Sequence, residues 1–304
     1  MRLNAELIDR FNEEGYLVVE NALESADLDL VIHEYEEYIG RLAVAWMKEG
    51  KIASQHADEP FETRLARICE ENQELAVQSN NLIDLYRARG RQTFDFLRNN
   101  HLLDLVEALV GPEIICSPIQ HLRAKLPSRL TTGGGASHIA PWHQDAGVTL
   151  DDADPHFILT VWIPLTKATR ENGCMQIIPR TQNSGLLNHQ IVPGIGTTIR
   201  EEEMPSEDPL DLPMEKGSVL LIHKKVPHRS TPNHSDGIRW SMDLRYQQTG
   251  TSTGRTIYPD FVVRSRANPD SVLTDHEEWS RLWVEALAAE KLSGTAHHRW
   301  QTVP

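Results

Sequence analysis

The stretch Trp142-His143-Gln144-Asp145-Ala146-Gly147-Val148 places an imidazole and a carboxylate two positions apart. In an extended segment successive side chains alternate between faces, so His143 and Asp145 would point the same way and could hold one metal ion from adjacent corners. A His-x-Asp pair alone often arises by chance and carries little weight. It gains weight from a second cluster, His228-Arg229-Ser230 followed by Arg239. The fold must therefore bring two distant segments together.

Length, composition and charge indicate an ordinary globular protein. The 304 residues, 39% of them hydrophobic, suffice for a large core, and the formal net charge is −14. Nucleic acid is not expected as a partner, because phosphate binding needs clustered Lys and Arg. The three cysteines lie far apart, which indicates a reducing compartment rather than a disulfide framework. Signal-peptide and membrane-spanning patterns are absent from the sequence. We expect a soluble cytoplasmic protein, a monomer or homodimer, without a membrane partner.

Residues 1–112 are predicted to be a mostly helical cover. Helical spacing runs from Asn4 to Glu14, where Gly15 can end a helix. Ser25 can cap a long helix that extends to about residue 49, and residues 101–110 form another. Four arginines of this part could bind an anionic substrate, but solvated helix faces explain them more simply. They are Arg64, Arg67, Arg87 and Arg89.

Residues 113–247 are predicted to be a β core of short strands separated by Gly, Pro and Asn. The strands are expected at residues 113–125, 156–164, 174–179, 218–223 and 238–247. This pattern is typical of an antiparallel sandwich or barrel, and the fold class is α+β with a mainly β core. The loop at 127–140 contains Gly133-Gly134-Gly135, which lacks the Lys of a P-loop and could be a mobile lid. A polar loop is expected at 180–211.

The last predicted strand has two chemically different faces. One face carries Arg239, Ser241, Asp243 and Arg245, and the other carries Trp240, Met242 and Leu244. Such a strand can border a polar pocket on one side, while helices cover its apolar side. Arg245 is expected to form an ion pair with Asp243 or another nearby acid. Residues 248–304 form a C-terminal extension with a helix at 275–292, and we expect residues 1–304 to be a single domain.

His143, Asp145 and His228 are the predicted metal ligands. Two histidines and one carboxylate occupy one face of an octahedron and leave the opposite face open, which suits non-haem Fe(II). A structural zinc site would need four protein ligands. His223 and His234 compete with His228 as the third ligand, and we favour His228 from its position before Arg239. His138 and His156 are expected to be loop or strand-start residues.

Arg239 suggests a second ligand beside the metal. A guanidinium binds a carboxylate through two parallel hydrogen bonds. A dicarboxylic keto acid could chelate iron through its 2-oxo and C1 carboxylate groups, and its far carboxylate would then need a buried cation. Arg239 fits that role, and the Ser230 hydroxyl could add a donor.

Several motifs together resemble a known family. They are Trp142-His143-Gln144-Asp145, Trp162-Ile163-Pro164-Leu165, Glu171-Asn172-Gly173-Cys174, Ile178-Pro179, Gly217-Ser218-Val219, His228-Arg229-Ser230, and Arg239 with Leu244-Arg245-Tyr246. In order and spacing this set resembles the phytanoyl-CoA dioxygenase family over roughly residues 15–247. The resemblance implies a double-stranded β-helix, a jelly roll of the cupin type, covered by N-terminal and C-terminal helices.

The resemblance also implies cofactors and roles. It implies Fe(II) bound by the two histidines and the aspartate, and 2-oxoglutarate as co-substrate. Arg239 and Ser230 are implied to bind its C5 carboxylate, and Lys125 and Trp162 to flank it. The implied reaction is the O₂-dependent hydroxylation of a small molecule with release of succinate and CO₂. Because Asp145 is a carboxylate, whereas related halogenating enzymes have a small residue there, oxidation is favoured over halogenation.

Two other functional classes remain open from sequence. One is a non-catalytic or sensing barrel that keeps the metal site. The other is a cupin-type metalloenzyme that uses no keto acid and would not need Arg239. The sequence gives no clear coenzyme A site, so we do not predict that this chain acts on the acyl thioester after which the family is named. It also leaves open whether the oxidation is hydroxylation, desaturation or ring formation.

Overall fold

The computed structural model describes residues 2–131, 140–293 and 299–302. The predicted glycine lid at 133–135 and His138 lie outside the described residues. Helices occupy both ends of the described chain and strands lie between them. The helices are α1 (Ala5–Glu14), α2 (Ser25–Lys48), α3 (Phe61–Glu71), α4 (Gln73–Ile83), α5 (Leu85–Ala88), α6 (Arg91–Leu97), α7 (Asn100–Val110) and α8 (His276–Ser293).

Twelve named strands follow in chain order within the described residues. They are β1 (Tyr16–Val19), β2 (Glu113–Cys116), β3 (His121–Lys125), β4 (Ile158–Pro164), β5 (Met175–Ile177), β6 (His189–Val192), β7 (Gly196–Ile199), β8 (Leu210–Leu212), β9 (Val219–His223), β10 (His228–Ser230), β11 (Arg239–Gln248) and β12 (Phe261–Ser265). All pairings between these strands are antiparallel.

Two sheets face each other across a cavity. The larger sheet has the order β1-β9-β4-β11-β2-β12, with β3 paired to the first half of β11. The smaller sheet has the order β10-β5-β8, and β6 and β7 form a separate hairpin. Side chains of both sheets and of the hairpin line one cavity, including Trp162, Met175 and Thr197. The predicted α+β class with a jelly-roll core is confirmed.

The helical cover packs on the apolar face of β11, as its alternation predicts. Trp240, Met242 and Leu244 are fully buried in one hydrophobic cluster that also contains residues of the N-terminal helices and Trp279 of α8. The opposite face of β11 lines the cavity. The core therefore draws on all three predicted parts of the chain, and the single-domain organisation stays a prediction.

Local signals explain the helix ends, with one correction. The Asn4 carboxamide oxygen accepts the Leu7 N–H at 2.9 Å, and Gly15 ends α1 in the left-handed region at φ 78°. Ser25, the predicted cap of α2, is instead its first helical residue. The preceding Glu24 is the cap, because the Asp27 carboxylate accepts the Glu24 N–H at 2.9 Å.

Three sheet predictions were wrong. The single strand expected at 113–125 is divided into β2 and β3, with Pro118, which has no N–H, between them. The polar loop expected at 180–211 contains β6, β7 and the start of β8. For the C-terminal extension the sequence predicted only a helix, yet it contains β12, which pairs with β2. Each of these strands has five residues or fewer. All except the β6–β7 hairpin depend on partners far along the chain.

Two expectations from composition can be checked directly. The three cysteines are free and buried. Among the described residues, no helix is both long enough and apolar enough to cross a bilayer. The cytoplasmic location and the monomeric or homodimeric state stay predictions.

The contact between cover and sheet gives a stability prediction. The Trp240 ring stacks on Phe61 with centroids 4.5 Å apart, and its indole N–H donates to the Phe61 carbonyl at 3.1 Å. We expect Trp240→Ala to lower the free energy of unfolding by about 3–5 kcal/mol, measured by urea denaturation. Val284→Ala, at a helix position 51% exposed, is the control and should change it by less than about 0.5 kcal/mol. Equal effects of the two substitutions would contradict the buried contact.

Candidate metal centre

A backbone pairing joins the two predicted clusters. The His143 N–H donates to the His228 carbonyl at 3.1 Å, and the His228 N–H donates to the His143 carbonyl at 3.0 Å. The two histidines thus form an isolated antiparallel bridge, and their ring centroids lie 4.3 Å apart. The segment at 142–145 is therefore not the strand that the sequence suggested.

Asp145 reaches the two histidines through a turn rather than by strand alternation. It begins the short 3-10 helix Asp145–Gly147. The buried Gln144 side chain anchors that turn, because its amide N–H groups donate to the carbonyls of Gly185 at 3.0 Å and Lys225 at 2.5 Å. The turn brings the carboxylate back to the same side as the imidazole, so the predicted grouping holds for a different structural reason.

The three side chains present a compact donor set. One ligand atom from each of His143, Asp145 and His228 lies within 4.8 Å of the others, and this is the one such group found among the described residues. The Nε2 atoms of His143 and His228 lie 3.7 and 3.9 Å from the two carboxylate oxygens of Asp145. His223 and His234, the alternative third ligands, are not part of the group.

Hydrogen bonds orient both imidazoles toward the centre. His143 Nδ1 lies 2.8 Å from the Pro141 carbonyl, and His228 Nδ1 lies 3.0 Å from the Val226 carbonyl. A carbonyl only accepts, so Nδ1 carries the hydrogen and the Nε2 lone pair is left for a metal. Burial, with the charge of His228 adding to it, lowers the pKa of His143 to about 4, which keeps its imidazole neutral near pH 7.

Asp145 is held ionised by a buried arginine. Arg245 donates to its carboxylate at 2.6 Å, and the Thr160 hydroxyl donates to its other oxygen. Burial alone would favour the protonated form, but the charge of Arg245, together with the Thr160 hydrogen bond, outweighs it and holds the pKa of Asp145 below its ordinary value. Arg245 also lies 3.0 Å from Asp243, so its predicted ion pair is present, together with one to a candidate metal ligand.

The four predicted co-substrate residues lie together in the same cavity. Arg239, Ser230, Lys125 and Trp162 all line this space of about 390 Å³, with His143 and His228. The Arg239 guanidinium lies over the Trp162 ring at 5.1 Å, and the Lys125 ammonium donates to the Ser230 hydroxyl at 2.8 Å. The predicted neighbours of a keto acid are thus assembled beside the metal ligands.

Arg239 is a buried cation whose partners in the described residues are all neutral. It donates to the Gly173 carbonyl at 3.2 Å and to the Ser241 hydroxyl at 2.5 Å. Burial lowers the pKa of Arg239 to about 10, so it stays protonated at neutral pH. Gly173 has φ 90°, and a Cβ there would lie 2.3 Å from the Lys125 side chain, so glycine gives both cations room. This part of the cavity has the charge and shape for an anion.

The sequence matches the model of a known protein family. The model of the phytanoyl-CoA dioxygenase (PhyH) family matches residues 11–241, which is more than half of the chain. The chain belongs to the phytanoyl-CoA dioxygenase family. The predicted family is confirmed, and with it the assignment of the chain to a family of oxygenase enzymes.

Individual relatives and solved structures agree with the family. The chain is 30% identical over 263 residues to the 1-deoxypentalenic acid 11-beta-hydroxylase of Streptomyces exfoliatus, covering 82% of this chain and 83% of that protein. It is 25% identical over 260 residues to the phytanoyl-CoA dioxygenase domain-containing protein 1 of Danio rerio, covering 76% and 86%. The fold resembles apo ThoJ, a non-heme monooxygenase, with a TM-score of 0.60, 18% identity and coverage of 95% and 100%.

A further fold relative was solved with ligands. EctD from S. alaskensis, with 2-oxoglutarate and 5-hydroxyectoine, has a TM-score of 0.51 and 18% identity, covering 82% of this chain and 77% of that chain. At 18% identity the similarity to EctD shows a shared fold and carries no information about the substrate of the present protein.

A C-terminal segment that the sequence analysis missed packs on the turn that carries Asp145. The Trp300 indole N–H donates to the Gly147 carbonyl at 2.5 Å, and its ring lies 5.2 Å from the His189 ring. His189 Nε2 in turn accepts the Gln144 N–H at 3.1 Å. A Cβ at residue 147 would lie 2.5 Å from the His189 ring, so only glycine allows this approach. In the sequence, Trp300 is an isolated aromatic residue, and nothing else there indicates this contact.

Arg299 adds to the same contact. Its guanidinium lies 2.8 Å from each Asp154 carboxylate oxygen and donates to the Ala146 carbonyl. The Ile191 N–H donates to the Gln301 carbonyl at 3.0 Å. We call residues 299–302 the C-terminal clasp, because they connect the Asp145 turn to the β6–β7 hairpin, which contributes Ile195 and Thr197 to the cavity.

The Arg245–Asp145 pair predicts a change in metal affinity. In Arg245→Met the buried carboxylate loses its main counter-charge, so its pKa should rise and protons should compete with the metal. We expect Co(II), titrated calorimetrically as a redox-stable probe, to bind about 10- to 100-fold more weakly. The loss of binding on acidification should also begin at a higher pH than in the unchanged protein.

Arg281→Met is the matched control, since Arg281 pairs only with Glu278 and Glu285 on the outer side of α8. Its Co(II) affinity should equal that of the unchanged protein. If Arg245→Met also binds Co(II) normally at every pH, Arg245 does not hold Asp145 for the metal.

The clasp gives an independent prediction. Trp300→Ala removes a hydrogen bond and a ring contact from the Asp145 turn, and we expect the Val148 amide, which donates to the Asp145 carbonyl at 3.1 Å, to exchange with solvent about ten-fold faster. Hydrogen exchange read by NMR measures this. Trp300→Phe keeps the ring and loses only the indole N–H, so its effect should be smaller. Unchanged exchange in both variants would show that the clasp does not stabilise the turn.

Proposed function

We propose that the chain is a non-haem Fe(II)- and 2-oxoglutarate-dependent dioxygenase that hydroxylates a small molecule with release of succinate and CO₂. One observation carries the proposal: the two histidines of a His-Asp-His donor set line a cavity together with the buried cation Arg239, which has only neutral hydrogen-bond partners among the described residues. The family match supports the same reading, as does the name of the Streptomyces relative, a hydroxylase.

The donor set fits iron better than it fits a structural metal. Two imidazole nitrogens, from His143 and His228, and the Asp145 carboxylate form a three-ligand set that suits non-haem iron and leaves coordination positions open for other groups. No cysteine belongs to the donor group found among the described residues, and all three cysteines are free and buried. When bound, the metal and keto acid would supply O₂ activation coupled to decarboxylation of the keto acid.

The protein's own residues would perform binding and orientation. The Pro141 and Val226 carbonyls fix the tautomers of the two histidines, and Arg245 with Thr160 keeps Asp145 ionised and directed. Arg239 and Ser230 would bind the C5 carboxylate of 2-oxoglutarate.

The remaining co-substrate contacts follow from position in the cavity. Lys125 would form a second ion pair with the C5 carboxylate, and the Trp162 ring would pack against the methylene groups of 2-oxoglutarate. These side chains are buried, which strengthens a charge-assisted hydrogen bond relative to one in water.

The alternatives explain less of the cavity. A sensing barrel or a cupin that uses no keto acid needs the metal ligands but not two buried cations beside them. Burying Arg239 and Lys125 next to each other costs free energy, and an anion in the cavity would offset part of it. This favours the keto-acid enzyme.

Anaerobic spectroscopy tests the proposal. Fe(II) with 2-oxoglutarate should give a visible charge-transfer band, and O₂ should then produce succinate. His143→Ala should abolish both, because one iron ligand is lost. Arg239→Ala should keep Co(II) binding but weaken 2-oxoglutarate binding about 100-fold, because the counter-charge of the C5 carboxylate is lost.

Arg281→Ala serves as the control and should behave like the unchanged protein. Absence of the band in the unchanged protein would refute the proposal as a whole. A band that forms in Arg239→Ala at the same 2-oxoglutarate concentration would refute the assigned anchor alone.

A further inference from the structure

We propose that the substrate is an apolar small molecule with a single carboxylate, bound with the carboxylate at Arg123 and the apolar part in an aromatic recess between Tyr86 and the C-terminal extension. This inference rests on the proposed function and specifies the substrate class of that site. Three independent features support it: the recess, the origin of its walls, and the charges that line the cavity.

A second cavity of about 350 Å³ adjoins the metal cavity. The two share Ile119, His121 and Arg255 as a common wall. In the recess the rings of Tyr86 and Trp283 stack with centroids 5.4 Å apart, and Leu287 adds an aliphatic surface. Together the two spaces have the size of an ordinary small-molecule site. The recess offers aromatic and aliphatic surface beside polar residues, which include Asn81, Arg87 and Glu290.

Five of the eleven residues that line the recess, Glu290 among them, lie beyond the family match. The match ends at residue 241, whereas Arg255, Tyr258, Trp283 and Leu287 come later. The Tyr258 ring lies 5.8 Å from the Trp283 ring, and its hydroxyl donates to Glu290 at 2.6 Å. Substrate-specific walls are expected where a chain adds to the common core, because the core supplies the shared chemistry.

The metal cavity is cationic although the protein as a whole is strongly acidic. Its lining contains five cationic side chains, and Asp243 is the one acidic side chain among the lining residues. The cations are Arg123, Lys125, Arg239, Arg245 and Arg255. With a formal net charge of −14 on the chain, this local excess of positive charge concerns the site alone.

Most of these cations have an assignment. Arg245 pairs with Asp145 and Asp243, and Lys125 and Arg239 would serve the keto acid. Arg255 donates to the Val148 carbonyl at 2.6 Å, which is a neutral acceptor.

Arg123 has no strong partner of its own. Within the described chain its nearest acid is Asp84, at 3.9 Å, and its side chain is 41% exposed. The Asp84 carboxylate is already held by His121 at 2.8 Å and by the backbone N–H groups of Leu85 and Leu122. The guanidinium of Arg123 can therefore still bind a planar carboxylate through two hydrogen bonds.

The register of β3 places Arg123 where the two spaces meet. His121, Arg123 and Lys125 alternate onto one face, and they lie opposite Asp243, Ser241 and Arg239 of β11. Lys125 is at the keto-acid end and His121 is in the wall shared with the recess. A carboxylate at Arg123 thus leaves the apolar part of the substrate between the metal ligands and the recess.

Matched probes test the carboxylate. With protein loaded anaerobically with Fe(II) and 2-oxoglutarate, calorimetry compares naphthylacetate with naphthylethanol, which has the same rings and no charge. We expect the acid to bind at least about ten-fold more tightly, as a charge-assisted guanidinium contact predicts. Arg123→Gln should abolish this preference and leave 2-oxoglutarate affinity, read from the charge-transfer band, unchanged.

Two further variants complete the test. Trp283→Phe should weaken both probes by the same factor, because it reduces apolar contact and not charge. Arg281→Gln, on the outer side of the same helix, should change neither. An intact charge-transfer band with no preference for the acid would overturn this inference alone. The inference would also be overturned if the Arg123→Gln protein lost 2-oxoglutarate affinity and still preferred naphthylacetate. A missing charge-transfer band in the unchanged protein would instead refute the proposed function.

Discussion

The two hydrogen bonds between the backbones of His143 and His228 are the constraint on which the site depends. They fix which residue of β10 lies opposite the turn, and a shift of one residue would send the His228 ring to the other face. The same register brings Ser230 to the cavity, where its hydroxyl accepts from Lys125 and from the Ala140 N–H. The two histidines of the candidate metal centre and Ser230 are therefore positioned by one backbone pairing. Asp145 depends on its own turn, and Arg239 and Lys125 depend on the pairing of β3 with β11.

Electrostatics links the two halves of the cavity. Near Asp145 the charges compensate each other, since Arg245 holds the carboxylate ionised despite burial. Near Arg239 two basic side chains lie side by side. Burial and the neighbouring Arg239 charge lower the pKa of Lys125 as a consequence. A dianionic ligand would relieve the repulsion between Arg239 and Lys125, so ligand binding and local stability should favour each other. The cavity thus combines an arginine–carboxylate pair at the candidate metal centre with two neighbouring basic side chains, Arg239 and Lys125, that an anion would stabilise.

The sequence predicts those parts of the structure that follow from local periodicity. The alternation from Arg239 to Arg245 identifies both the polar lining and the buried face of β11, and this agrees with the structure. Features that depend on distant partners were missed. The turn after Gln144 is set by carbonyls far along the chain, β12 exists because β2 is beside it, and the contact of Trp300 with Gly147 leaves no periodic signal. Three-residue strands such as β5 are too short to show alternation.

The C-terminal extension connects substrate space with metal ligation. Trp283 of α8 forms a wall of the recess, and the clasp at 299–302 packs on the turn that begins with Asp145. Arg255, from the same extension, donates to the Val148 carbonyl at the end of that turn and also lines both cavities. A molecule in the recess therefore touches residues that are bonded to the ligand-bearing turn. Because Asp145 is held from one side by Arg245 and its turn is held from the other by this extension, substrate contacts and metal geometry share the same supports.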